Sequence, residues 1–137
     1  MRKVLDTSGR VLQVFAFLLI VPYFLGIYFN EPTQIVQIYA VSALTAVFLG
    51  RMGIYFGEDG NMSLQQATVA TVLSWSTVSL IGAMPFLNYL SFEQAFFESI
   101  AGITTTGMSM FTAPQALPAS VLFWRSFMQW IGGLGIL

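Results

Sequence analysis

Between Ser91 and Pro118 the chain carries an amphipathic run, Phe92 to Ile103, that is too short to cross a bilayer, and apolar runs long enough to cross stand on either side of it. A spanning helix needs about 20 mostly apolar residues to cover about 30 Å of hydrocarbon. Three segments reach that length, at 11–29, 35–55 and 63–87, and a fourth begins near Ala119 and reaches the C-terminus. Lipid gives exposed backbone N–H and C=O groups no partners. A half-length helix at that depth must therefore turn back, with its irregular return covered by protein or facing water. These lengths predict an all-α membrane protein in which spanning helices surround one re-entrant helix and its loop.

Composition points the same way. Hydrophobic residues make up 56% of the chain and charged residues 8%, with a mean hydropathy of +0.76, whereas about a quarter of a soluble domain is charged. A net charge of -1 without any Lys/Arg block argues against a nucleic-acid surface or a headgroup-binding switch. With no Cys and no His, thiolate and imidazole metal sites and Ser/His or Cys/His nucleophile pairs lack their essential members. The acids are Asp6, Glu31, Glu58, Asp59, Glu93 and Glu98, and they form no aspartyl pair on separate spans. Neither an enzyme nor a cofactor is expected, and the first partner is the lipid bilayer.

The basic residues predict orientation. Arg2, Lys3 and Arg10 precede or open the first span and Arg51 closes the second on the same side, whereas the turn Asn30 to Gln34 carries no Lys or Arg. That asymmetry predicts a cytoplasmic N-terminus in the plasma membrane. The first run ends in Ile27-Tyr28-Phe29-Asn30-Glu31-Pro32, bulky where a signal peptide would have small residues, so it is read as a retained helix that Pro22 kinks. Glu58 and Asp59 between glycines read as a solvated turn. Ser63 with Gln66, and Ser91 with Gln94, have capping-box spacing and predict two helix starts.

From Ser91 the short helix enters from the external side. Twelve residues rise roughly 18 Å, which is only part-way. Gly102 is expected to end it, with carbonyls near Ala101 and Gly102 offering partial negative charge to a cation. Thr104, Thr105 and Thr106 supply carbonyls, hydroxyls and a β-branched preference for extended backbone, and Gly107 can take the positive φ that turns successive carbonyls one way. Such a ribbon at bilayer depth can replace a cation's hydration shell. The alternative is a Thr-rich turn in a noncatalytic membrane protein whose hairpin only packs.

The run Ala95 to Gly107 (AFFESIAGITTTG), followed by Leu122 to Ile136 (LFWRSFMQWIGGLGI), resembles the first pore repeat of the TrkH/TrkG/KtrB potassium transporters in both motif and spacing. The two helices before Ser63 are similar to the extra amino-terminal pair of the TrkH branch. The resemblance implies residues 1–62 as a two-helix extension and 63–137 as a pore repeat, made of an outer helix 63–87, a re-entrant pore helix 92–103, a filter 104–108 and an inner helix 119–137. It implies K+ as the transported ion, held by Thr104, Thr105, Thr106 and Gly107 as one quarter of a filter, and moved passively or with a coupled ion. Three further repeats, a homodimer and a cytoplasmic nucleotide-binding regulatory subunit are implied partners. Because the chain stops at Leu137, inside the inner helix, it is expected to be a fragment of a longer gene product, the alternative being that four or more copies assemble.

Two further features are expected to support the hairpin. Arg125, the one basic residue deep in the fourth segment, needs a partner or an aqueous outlet, and Glu98 on the short helix is the candidate. Gly132, Gly133 and Gly135 form a flat patch suited to close helix packing, with a gating bend as the sharper option. The hydroxyls from Thr68 to Ser79 are expected to bond to their own or a neighbouring helix, and Trp75, Trp124 and Trp130 to pack or to face lipid.

Overall fold

The computed structural model describes residues 1–135, and the last two residues of the expected inner helix lie outside them. The fold is all-α: α1 (Arg2–Leu18), α2 (Ile20–Tyr28), α3 (Thr33–Phe56), α4 (Leu64–Gly82), α5 (Phe92–Ile103) and α6 (Ala119–Gly135). Among the described residues three runs are long and apolar enough to span a membrane: Arg2–Tyr28, Thr33–Phe56 and Leu64–Phe86.

The first run starts nine residues before the expected Val11, and Arg2, Lys3, Asp6 and Arg10 all lie on it. Hydropathy missed this segment because its charges lower the local average, although they are paired and one of them, Asp6, is buried. Arg10 Nε reaches Asp6 Oδ2 at 2.8 Å, one helical turn back, and Asp6 is 5% exposed. The run breaks at Leu19, three residues before Pro22, which has no N–H to offer the carbonyl of Leu18. α3 returns antiparallel to α1. Gly9 lies so close to Gly50 that a methyl on it would stand 2.6 Å from the Gly50 carbonyl, and Gln13 Nε2 donates to the Val47 carbonyl at 2.9 Å. Small residues of this kind let spanning helices approach closely where lipid supplies no hydrophobic drive.

At one end of the pair the loop 57–61 is bound to the N-terminus and is not merely solvated. Arg2 pairs with Glu58 at 2.6 Å, Arg10 with Asp59 at 3.5 Å, and Lys3 Nζ donates to the Asn61 carbonyl at 2.8 Å. α4 then starts on the Ser63/Gln66 capping box. Its hydroxyls bond to their own or a neighbouring helix as expected: Thr68, Thr71, Ser76 and Thr77 donate to carbonyls one turn back, and Ser74 also bonds Ser8 on α1. The α-helix stops at Gly82 and not at Leu87, because Pro85 forces a 3-10 turn over Met84–Phe86. The carbonyl of Gly82 is taken by Trp124 Nε1 at 3.0 Å.

α5, α6 and the end of α4 pack as one unit. Met128, fully buried, fills the space left by Gly82 and Gly102. Ser99 Oγ donates to the Ser79 carbonyl at 2.7 Å. Trp124 is buried against Phe15, 5.6 Å between ring centroids, and edge-on to Tyr39 at 6.4 Å, whereas Trp130 is exposed.

Candidate functional site

α5 starts on a capping box in which Ser91 and Gln94 side chains exchange bonds with each other's backbone N–H, and Glu93 stands in the first turn at the positive end of the dipole. It ends at mid-length of the long helices. Ile103 shares an apolar cavity of about 240 Å³ with Phe15, the middle residue of the run Arg2–Tyr28, and with Trp75, the middle residue of Leu64–Phe86.

The terminator is not Gly102, which lies inside the helix. A methyl there would stand 3.2 Å from Met128 Cβ, so the missing side chain serves packing and not termination. The helix closes instead on Thr105, in the left-handed region at φ 57°. Thr105 N–H donates to the Gly102 carbonyl at 2.9 Å and Thr106 N–H to the Ala101 carbonyl at 3.1 Å, the paired bonds of a Schellman closure. A β-branched residue is an outlier in that conformation, which glycine usually supplies. The carbonyls of Ala101 and Gly102 are therefore occupied and do not form the free negative end that the sequence suggests.

The free carbonyls come one step later. Thr104, Thr105 and Thr106 all send their N–H groups back into α5. In a planar trans peptide the C=O points opposite to the N–H it shares a plane with. The carbonyls of Ile103, Thr104 and Thr105 consequently all point away from the helix. Among the described residues no backbone N–H donates to the carbonyls of Thr104, Thr105, Thr106 or Gly107. The hydroxyls of Thr104 and Thr106 fold back on the carbonyls of Ile100 (2.7 Å) and Ala101 (3.3 Å), so they are committed to the helix. Gly107 takes φ 73° with open space around it, and 105–110 are exposed.

Glu98 holds the return. Its carboxylate, 2% exposed, accepts Arg125 Nε at 2.5 Å, Ser109 Oγ at 3.1 Å and Met110 N–H at 2.7 Å. One buried charge thus ties α5, α6 and the segment after Gly107 together. The pair with Arg125 was legible from the lone buried cation; the bonds to Ser109 and Met110 had no sequence signal beyond a serine two residues past the glycine. Gly132 is buried against the end of α5, where a methyl would stand 1.9 Å from the Ile103 carbonyl, while Gly133 is exposed with Thr105 Cγ2 3.9 Å from the equivalent position. Gly132 is therefore a packing contact.

At the opposite end of the molecule from the Arg2–Glu58 pair, Glu31 receives the backbone N–H of Ser120 at 2.9 Å and the Ser120 hydroxyl on its other oxygen. Tyr89, outside the spanning runs, has its phenol pushed up by burial and then by the Glu31 carboxylate nearby. Sequence reading gave Glu31 no role.

A family model described as TrkH, cation transport protein, matches residues 34–137. An uncharacterized cation transporter of Methanocaldococcus jannaschii is 36% identical over 137 residues, covering 98% of this chain and 28% of that protein. The Trk system potassium uptake protein TrkH of Escherichia coli K12 is 37% identical over 84 residues, 58% of this chain and 17% of that one. The crystal structure of the potassium transporter TrkH from Vibrio parahaemolyticus superposes with a TM-score of 0.89 at 26% identity, covering 98% of this chain and 30% of that chain. The chain spans less than a third of the length of these relatives.

Proposed function

The chain belongs to the TrkH family of cation transport proteins, and from that premise we propose that it furnishes one pore-lining quarter of a potassium uptake transporter. In this reading α5 is the re-entrant pore helix, Thr104 to Gly107 is one filter strand, α4 and α6 are its outer and inner helices, and residues 1–62 are an extension packed outside the pore. K+ passes the carbonyls of Thr104, Thr105, Thr106 and Gly107, which stand in for hydration water. Three further repeats complete the ring, and transport is passive or coupled to a second ion. The N-terminus faces the cytoplasm, where the family resemblance adds a nucleotide-binding regulatory subunit acting on a homodimer.

The observation that carries the reading is the direction of the peptides after Ile103. Three successive N–H groups turn into α5; the Ile103 carbonyl packs on Gly132, while those of Thr104 and Thr105 face away from α5 at the mid-level of the bundle with no backbone donor. Ion coordination accounts for unpaired carbonyls at that depth, whereas a hairpin that only packs would pair them. Gly107→Ala and Gly107→Ser in the full-length protein test it. Either side chain strains a backbone at φ 73° by about 1 kcal/mol or more. Expressed in a K+-starved host, both variants are expected to lose K+ over Na+ selectivity and to slow uptake. Unchanged selectivity and uptake would return the hairpin to a packing role.

A further inference from the structure

Glu31 lies between α2 and α3, outside the pore unit, yet both its carboxylate oxygens are spent on the first turn of α6. The turn that delivers it is specific. Asn30 takes φ 51° and Glu31 N–H donates back to the Gly26 carbonyl at 2.9 Å; Gly26 lies beside the carboxylate, where a methyl would crowd Val36 Cγ2 at 3.0 Å and meet Glu31 Oε2 only at ordinary contact distance, 3.4 Å. A carboxylate at that point satisfies an orphan N–H of α6 and complements the positive end of its dipole. One turn further along, the extension grips α6 again, with Phe15 and Tyr39 closing on the buried ring of Trp124. The next residue is Arg125, whose partner Glu98 holds Ser109 and Met110 behind Gly107.

We propose that Glu31 is a positioning residue: by fixing the height and rotation of α6 it sets, through Arg125 and Glu98, where the strand behind Gly107 stands. The proposal rests on the filter reading above. It gives the N-terminal helix pair a task in ion affinity, in addition to filling space. The link is contiguous at every step, and each step is a hydrogen bond to a charge or a buried ring contact. α6 carries it as a rigid element, since Ser120 and Arg125 are five residues, or about 7.5 Å, apart along one helix.

The test is K+ uptake by the full-length protein at matched membrane abundance, reading half-saturating K+ separately from maximal rate. Glu31→Ala is expected to raise the half-saturating concentration by about tenfold, the equivalent of one hydrogen bond to a charged group, with a smaller change in maximal rate. Glu31→Asp is expected to recover part of the shift, and Ser120→Ala, which removes only the hydroxyl contact, to show a smaller one. Combined with Arg125→Lys, Glu31→Ala adds nothing to the larger single effect if both act through α6; shifts that multiply would overturn the proposal. An unshifted Glu31→Ala beside a Gly107→Ala that has lost selectivity overturns this coupling alone, while an unaltered Gly107→Ala removes the filter reading and this inference with it. Should Glu31→Ala fail to accumulate, Ser120→Ala decides: a raised half-saturation supports the link, and an unchanged one sinks it.

Discussion

Two helices in this chain end in the same hydrogen-bond pattern around different residues. At the end of α2, Asn30 sits at φ 51°, with its N–H on the Ile27 carbonyl at 3.1 Å and the next N–H on Gly26. At the end of α5, Thr105 sits at φ 57°, with its N–H on Gly102 and the next on Ala101. Asparagine visits the left-handed region readily and is a usual substitute for glycine there. Threonine is not, because its branched β-carbon crowds the following carbonyl. The first ending is encoded locally by its own residue. The second is imposed from outside, and conformations of that kind persist only where the surroundings over-determine them. Glu98, holding Ser109 and Met110, and Gly132, against the Ile103 backbone, supply that constraint on either side of Thr105 in the chain.

Removing the constraint should therefore do the most damage. Glu98→Ala leaves Arg125, only 17% exposed at its side chain, without its partner, and frees Ser109 and Met110. A loss of about 3–5 kcal/mol is expected for breaking a buried pair from one side, read as a collapse of the thermal midpoint of the full-length protein in detergent together with loss of uptake. A midpoint near that of the unmodified protein would mean that the α5 ending does not depend on the carboxylate. Gly132→Ala comes next: its methyl would meet backbone, the Ile103 carbonyl at 1.9 Å, and overpacking of this kind costs about 1–3 kcal/mol. Gly133→Ala, its exposed neighbour, is expected to stay within about 0.5 kcal/mol. Equal effects at the two glycines would show that helix propensity, and not the contact with α5, governs the patch.

This contrast also marks how far the sequence could be read. The start of α5 was legible because a Ser-x-x-Gln box is a local device, and its end at Ile103 followed from length. The stretch proposed as the filter was picked out by three threonines and a glycine at the end of a half-length helix. The ending itself was not: local chemistry nominates Gly102, whereas packing against Met128 keeps that glycine helical and passes the left-handed turn to a threonine three residues on. Asp6 and Arg10 were hidden for a related reason. Charges read as a boundary until a partner one turn away and a loop folded back from Glu58 and Asp59 are known. Glu31 belongs to the same class, since its partner is Ser120, 89 residues away.

The smallest effects give the sharpest form of the comparison, because they differ in sign. Thr105→Gly removes the left-handed penalty of about 1–2 kcal/mol and returns roughly 0.5–1 kcal/mol of it as unfolded-state entropy, so the thermal midpoint is expected to rise slightly. Uptake should become less selective, as the strand loses the side chain that restricts its backbone. Asn30→Gly relieves almost nothing, since asparagine already tolerates the conformation, and pays the same entropy, so a drop of a few tenths of a kcal/mol is expected with selectivity unchanged. The pair is decisive when measured side by side in one detergent. A rise at Thr105 with a fall at Asn30 places stored strain at the α5 ending alone; two falls of equal size would show that Thr105 rests in its turn as easily as Asn30 does, and that Glu98 and Gly132 hold nothing under tension.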